Sequence, residues 1–595
     1  MDQISQMFLA LLPEFVLAGA ACVLFLIGAA KDAQYRRGAA ILALGVVSLV
    51  FLQQLVGVLT PNADHPVITD PWNTVRITEF SSFVKLITSG MGILLILLAW
   101  PTNAEATGGN AFEVGHELAE FYGLMLLSLC GVFIVASAND IILLFLGIEL
   151  ASIPTYIMVS VSRPIPVAQE AGVKYFFLGA MSAAVMLFGF SYLYGTTGLL
   201  KLDAIGQVLQ HGMLSIPLEG GGSIVEARGG RLQPWSEIVS GYGNLTTWQL
   251  LAVLMLLFGF AFKIAAVPLH TYAGDVYTGA ATPVTAFLAF VPKTSGFIAI
   301  IKLLYVVGGP EWAVPDVLVK LLWIVAVLTM TFGNVLALLA SNVKRVLAYS
   351  SVAHSGYMLV GLVALVSARG NPDVQSLAIQ GVLFYLVAYG IMNVGAFGVL
   401  SLIPARFHYT STADTAANHP PATTAETYED LAGQGRRHIG LGLALALCCF
   451  SLTGLPLTVG FFGKLYLVQP ALEVGGPAMN WLVVIVMINA AISAGYYLKI
   501  IATMFLRPDP HGPTVHGHAT PLPTMPMATR ATPVMVAVAL SAVGVVLAGS
   551  VPRAHNALGE RVKRATAIDP GATPRVTALP LPGATADRAI SSPLD

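Results

Sequence analysis

Four charged residues lie deep inside long apolar runs: Glu149 in LLFLGIELASIPTYIMV, Lys263 in LLAVLMLLFGFAFKIAAVPLH, Lys293 in TAFLAFVPKTSGFIAIIKLLYV, and Lys464 in SLTGLPLTVGFFGKLYLV. A charge at bilayer depth costs about 2.5–3.5 kcal/mol on insertion scales, so each needs a reason. The chemistry open to them is proton transfer. A lysine in water holds its proton to a pKa of about 10.4. Burial disfavours the charged amine, and a nearby carboxylate favours it again. A buried lysine whose carboxylate can approach or retreat is therefore a switchable proton store. The alternative is a structural ion pair with Glu149, which can neutralise only one of the three lysines. Lys85, Lys174, Lys302 and Lys499 lie closer to the ends of apolar runs, where snorkelling to the interface accounts for a lysine. A metal site does not fit, because protonated lysines repel cations and no His, Asp or Glu cluster has ligand spacing.

The elements that must hold these residues are membrane helices. Of 595 residues, 56% are hydrophobic and only 10% charged, where a soluble domain carries roughly 25% charged. The apolar runs are long enough to cross a core of about 30 Å and do not alternate as barrel strands would. The reading is an all-α polytopic membrane protein of about fourteen helices. Its spans fall near residues 7–29, 38–59, 80–100, 118–136, 139–161, 171–195, 248–270, 282–307, 316–340, 345–367, 376–403, 439–470, 480–506 and 533–551. The first run, starting near Met7 without a basic region before it, reads as a full span rather than a cleavable signal. Lys and Arg concentrate in alternate loops, which places those loops in the cytoplasm and both termini outside. A formal net charge of −1 offers no field for nucleic acid. Four cysteines without a CxxC pair argue against zinc, iron–sulfur or a disulfide framework. GQGRRHIG at 433–440 follows no strand and lacks GxGxxG spacing, so it reads as a loop before a span.

Pro268 follows Lys263, and Pro456 precedes Lys464 among Gly454, Gly460 and Gly463. Each proline interrupts the fourth span of a series of five, spans four to eight and nine to thirteen. An odd number per series requires opposite orientations, the inverted-repeat pattern of transporters, with broken helices exposing backbone at the midplane. The chain then divides into 1–117 (spans one to three), 118–315 (first five-helix repeat, with a Gly-rich inserted loop 201–247), 316–506 (second repeat, with loop 404–438), 507–552 (a loop and span fourteen), and a tail 553–595 that reads as disordered. Pro292, before Lys293, is read as opening span eight to water.

HTYAGDVYTGAATPVTAFLAFVPKTSGF closely resembles the seventh-to-eighth-helix region of the antiporter-like membrane subunits of bacterial NADH–quinone oxidoreductase (respiratory complex I), and of the N subunit in particular. FLGIELASIPTYIMV, EAGVKYFFLGAMSAAVMLFGFSYLYGTTG, NVKRVLAYSSVAHSGYMLVGL and LTGLPLTVGFFGKLYL are similar to that subunit in its order. The resemblance covers roughly residues 1–506 and the last span. It implies a proton-translocating subunit in which Glu149, Lys263, Lys293 and Lys464 form the relay. His270 and His354 match histidines on the family's hydrophilic axis, and with Lys174, Lys302 and Lys499 they are secondary candidates. It implies no cofactor in this chain, with NADH, FMN, iron–sulfur clusters and quinone held by partner subunits. The expected partners are the L, M, K, J, A and H membrane-arm subunits and the peripheral arm, in a bacterial inner membrane. The Mrp-type cation/proton antiporter subunits share the broken helices and the Glu/Lys pattern, and a subunit of that type is the alternative.

Overall fold

The computed structural model describes residues 7–8, 11–29, 38–59, 68–70, 72–101, 118–163, 165–211, 214–217, 223–226, 245–403, 424–508 and 532–550. Readings on the tail and on most of the loops 404–438 and 507–530 fall outside these residues. Four helices precede Glu149: α1 (Leu12–Gly28), α2 (Ala39–Leu59), α3 (Glu79–Leu98) and α4 (Leu118–Ser137). Then come α5 (Ile141–Val161), α6 (Pro166–Thr197), α7 (Leu202–His211), α8 (Thr247–Lys263), α9 (Ala273–Gly279) and α10 (Thr282–Gly308). The second half holds α11 (Asp316–Leu339), α12 (Val343–Ser367), α13 (Pro372–Leu402), the one-turn α14 (Tyr428–Leu431) and α15 (Gln434–Arg437), α16 (Ile439–Thr453), α17 (Val459–Val474), α18 (Gly476–Phe505) and α19 (Thr532–Ser550). Two short antiparallel ladders, Ile68–Thr69 with Arg76–Ile77 and Leu214–Pro217 with Ser223–Glu226, lie in connections.

Among the described residues, eleven helices are long and apolar enough to cross a membrane, and three apolar helices are shorter. Two of the short ones, α8 and α16, are cut off where spans seven and twelve break. Span starts carry the caps that their sequences offer. Thr78 and Ser81 form a capping box at α3, and Thr246 and Gln249 form another at α8. The Asp140 carboxylate accepts from Ile142 N and Leu143 N to open α5.

Burial sorts the bundle. Every residue of the apolar window of α10 is buried, and α12 and α13 are nearly so, whereas α2, α6, α18 and α19 turn most of their surface outward. Lys293 of α10 thus sits at the centre, 1% exposed, shielded by a ring of helices whose exposed leucines, valines and phenylalanines suit lipid.

The structure corrects several expectations. Pro292 does not open its span: α10 runs unbroken through it, and its neighbours are buried. Lys85 does not snorkel. It is 1% exposed and paired to Glu14 at 2.5 Å. The start of the stretch read as a loop from 201 is a helix, α7, whose Leu202, Ile205 and Leu209 are buried and whose Gln210 Nε2 donates to Val306 O at 3.1 Å. The end of the 404–438 stretch is equally ordered, and is pinned by Glu426.

Candidate functional site

Spans seven and twelve break in the same way. At the end of α8, Ala265 N donates to Phe262 O and Ala266 N to Ala261 O; at the end of α16, Gly454 N donates to Ser451 O and Leu455 N to Phe450 O. These are the paired closing bonds of a Schellman turn. The turn residue is left-handed in both, Ala265 at φ +56° and Gly454 at φ +93°. Leu457 is left-handed too, at φ +68°. A non-glycine residue held in that region costs of order 1–3 kcal/mol, so these turns are maintained against strain by their surroundings. Gly460 begins the second half of span twelve so close to the first that a Cβ would lie 1.8 Å from Ser451 O. No side chain fits there.

The lysines use the breaks differently. Lys263 occupies the last turn of α8, before the break. Its Nζ lies 2.9 Å from Glu149 Oε1 and donates to Tyr156 OH at 3.1 Å. Glu149 and Tyr156 are seven residues apart on α5 and so share a face. The acid is slightly open, its side chain 12% exposed against 2% for the lysine.

Lys464 sits beyond its break, in α17. It reaches back to the end of α16, donating to Leu452 O at 3.0 Å and Thr453 O at 2.7 Å. A helix leaves its last four carbonyls unpaired and carries partial negative charge there, so the interrupted span supplies the amine's acceptors.

Lys293 lies between the two. Its Nζ donates to Ser351 Oγ at 2.5 Å, to Ser355 Oγ at 2.9 Å and to the Ser351 carbonyl. Neither Lys293 nor Lys464 is in an ion pair among the described residues. Each amine faces an aromatic ring instead, Lys293 at 5.5 Å from the Tyr389 centroid and Lys464 at 4.9 Å from Tyr357.

Helix α12 separates these two lysines and presents Ser351, His354, Ser355 and Tyr357 to them. His354 is buried, with Nδ1 at 2.6 Å from Tyr385 OH and Nε2 at 3.1 Å from Tyr497 OH. Tyr497 OH in turn bonds Ser350 Oγ. Beyond Tyr357, Asn334 Nδ2 donates to the Tyr357 hydroxyl at 3.0 Å and to Asn489 Oδ1 at 3.1 Å. The groups on α12 and its neighbours between Lys293 and Lys464 are thus hydroxyls and one imidazole, able to donate and accept hydrogen bonds.

The structure therefore gathers Lys263 with Glu149, and Lys293, His354 and Lys464 around α12. It does not gather the remaining candidates with them. Lys174 is 44% exposed and paired to Glu170 and Asp275 at 2.7 and 3.1 Å. Lys499 lies on the outer side of α18, over the Tyr428 ring at 4.4 Å. His270 is half-buried inside the first break, beside Phe332. Lys302 is half-buried and donates to Ala138 O at 2.7 Å. Residue type alone hid the serines and carbonyls that hold the amines, and Glu14, whose position inside an apolar run was a visible signal. Among the described residues no group of three or more His, Cys, Asp or Glu side chains comes together as a metal site.

A family model described as NADH:quinone oxidoreductase/Mrp antiporter, transmembrane, matches residues 138–493, more than half of the chain. The chain belongs to this family. Among curated members, NADH-quinone oxidoreductase subunit N of Trichlorobacter lovleyi is 35% identical over 441 residues, covering 73% of this chain and 76% of that one. Subunit N 1 of Sorangium cellulosum is 36% identical over 446 residues, covering 74% and 75%. A chain of respiratory complex I from Thermus thermophilus superposes with a TM-score of 0.62 at 26% identity, over 90% of this chain and 98% of that one. A chain of the Mrp complex from Dietzia sp. shares the fold, with a TM-score of 0.67 at 20% identity over 93% and 97%. The matched region spans both breaks and the four relay candidates, from Glu149 to Lys464.

Proposed function

We propose that this chain is a proton-translocating subunit of the membrane arm of an NADH:quinone oxidoreductase. Glu149, Lys263, Lys293 and Lys464 relay protons, coupled to electron transfer from NADH to quinone in partner subunits. The observation that carries this reading is the contrast in how the buried lysines are held: one by a carboxylate, one by hydroxyls and one by the carbonyls of a broken helix. A set of structural charges would each be neutralised by an acid, because an unpaired buried ion is costly. Buried titratable groups held without a neutralising acid cluster at functional sites. His354 and its tyrosines bridge Lys293 and Lys464. Lys174, Lys302, Lys499 and His270 serve at the margins.

Fourteen crossings, spans seven and twelve each broken, form two five-helix repeats of opposite orientation, 118–315 and 316–506. The matched closing bonds at 261–266 and 450–455 support this pairing. Residues 1–117 add three helices, and 507–552 a loop and the last span. Both termini face the outer side of a bacterial inner membrane. The neighbours are the homologous L and M subunits, K, J, A and H, and the peripheral arm that carries FMN and iron–sulfur clusters. The relatives' names favour this assignment over a cation/proton antiporter subunit.

Purification of the native assembly tests the reading. The chain is expected to co-purify with a flavin-containing NADH-oxidising arm and, in vesicles, to support proton uptake that follows quinone reduction. Recovery with cation-antiporter subunits alone, without NADH oxidation, would sink it. The same vesicles test orientation: cysteines placed at 7 and at 550 should both react with a membrane-impermeant maleimide from the outer side. Reaction of either from the cytoplasmic side alone would overturn the topology.

A further inference from the structure

A second buried acid–lysine pair lies outside the relay. Glu14, in the first turn of α1, and Lys85, in the second turn of α3, meet at 2.5 Å with side chains 10% and 1% exposed. Phe133 of α4 covers the amine, its centroid 5.9 Å away, and Cys130 Sγ donates to the Glu14 backbone carbonyl at 3.6 Å. Lys302 reaches the same end of the bundle. Its amine is bound to Ala138 O, just beyond α4, where Ala138 bridges to Val75 ahead of α3.

Hydrogen-bonding capacity is concentrated here. Apart from the Glu14–Lys85 contact itself, Glu14 Oε2, Thr88 Oγ1 and Ser137 Oγ have no hydrogen-bond partner among the described residues. Buried polar atoms are rarely left without a partner in folded proteins, so three of them beside one buried ion pair point to groups that exchange partners. A static clasp would be fully bonded. A carboxylate that takes up and gives back a proton needs lone pairs in reserve.

The corner also lies on a helix shared with the relay. Lys293 and Lys302 are nine residues apart on α10, about 13 Å along its axis and half a turn around it. Ser295 stands on the Lys302 face, and α10 packs against both α3 and α4. The end at which α3 begins and α10 finishes is the outer end in the topology above.

We infer that Glu14 and Lys85, with Lys302, form a second proton-bearing station that connects the first series to the outer phase without passing Lys464. In the resting pair the carboxylate and the ammonium sum to zero. Glu14 accepts a proton, forming an O–H bond while Lys85 keeps its own, and returns it when the next proton or the outer phase draws it away. Lys302, carrying no acid of its own, sets the charge against which that proton leaves. The inference rests on the proton-relay reading.

The test uses the whole assembled complex in vesicles. Infrared difference spectra, triggered by quinone reduction, should show a carboxyl band that shifts in deuterium oxide. The band should be lost in Glu14→Gln and kept in Glu120→Gln. The double variant Glu14→Gln/Lys85→Gln leaves no orphan charge and should assemble, yet lose part of the proton-to-electron ratio. Lys302→Met, which leaves the pair intact, should lower that ratio too. An unchanged band and an unchanged ratio in assembled variants would make the pair a clasp between α1 and α3. Were Lys293→Ala also to pump normally, the relay itself would fail. Loss of pumping in Lys293→Ala alone would overturn only the outer station.

Discussion

Lys293→Ala is expected to abolish proton pumping and to slow coupled quinone reduction by about a hundredfold. That is the rate equivalent of the 2.5–3.5 kcal/mol that a charge incurs at bilayer depth when no group receives it. Lys293 lies between the carboxylate-held Lys263 and the carbonyl-held Lys464, and its amine is bound only by Ser351 and Ser355. Lys293→Arg should do no better than Ala, because a guanidinium keeps its charge but does not release its proton. Lys293→Met preserves volume and separates loss of titration from loss of packing. The measurement is dye-reported acidification of vesicles alongside NADH oxidation, on complexes first shown to assemble. Wild-type pumping by an assembled Lys293→Ala complex would make the lysine structural and end the relay reading.

Glu426→Ala should act through stability instead, and strongly. The Glu426 carboxylate accepts from Arg163 at 2.8 Å and from Lys344 at 3.0 Å, and those cations are 4% and 0% exposed. Arg163 lies in the link between α5 and α6, Lys344 at the start of α12, and Glu426 O accepts from Val343 N at 2.8 Å. One carboxylate therefore fastens the α5–α6 link to the start of α12. Removing one partner of a buried pair costs about 3–5 kcal/mol, so little assembled complex is expected at growth temperature. Burial pushes the Glu426 carboxyl up, but Lys344 and Arg163 outweigh it and hold it below the ordinary carboxylate range. A carboxyl depressed in the fold contributes stability above its unfolded value, and loses it as pH falls through the folded one. Acid should therefore loosen the wild-type complex over that window and leave a Glu426→Gln complex less responsive. Equal thermal stability of Glu426→Ala and wild type would remove the clamp from consideration.

Much of this was legible in the chain. Apolar runs located the spans to within a few residues, since a bilayer core fixes both their length and their content. The breaks were legible from Pro268 and Pro456, because proline cannot continue the hydrogen-bond ladder. Depth along a span is also a one-dimensional property, so Glu149, Lys263, Lys293 and Lys464 stood out. What failed was direction around the helix. Lys85 lies only six residues into its span, a depth that suits snorkelling, but it points inward to Glu14, 71 residues earlier in the chain. Glu426 was hidden for a different reason: the Thr- and Ala-rich composition of its segment says nothing of the single acid that anchors its end. Pro292 misled because tertiary packing on every side of α10 overrides one missing hydrogen bond.

The manner in which each buried amine is held also bears on how the chain is made. Glu149 is synthesised 114 residues before Lys263, and Leu452 and Thr453 precede Lys464 by 12 and 11 residues. These two lysines enter the membrane with their acceptors already in place. Lys293 is the reverse case, for Ser351 and Ser355 follow it by 58 and 62 residues. At about 5–20 residues per second, α10 waits several seconds for the helix that will shelter its charge. During that interval it must stay with the insertion machinery, at the lateral gate or beside a chaperone, rather than partition into lipid. The most vulnerable moment of biogenesis thus falls between α10 and α12, and a ribosomal pause there would strand the central lysine in hydrocarbon.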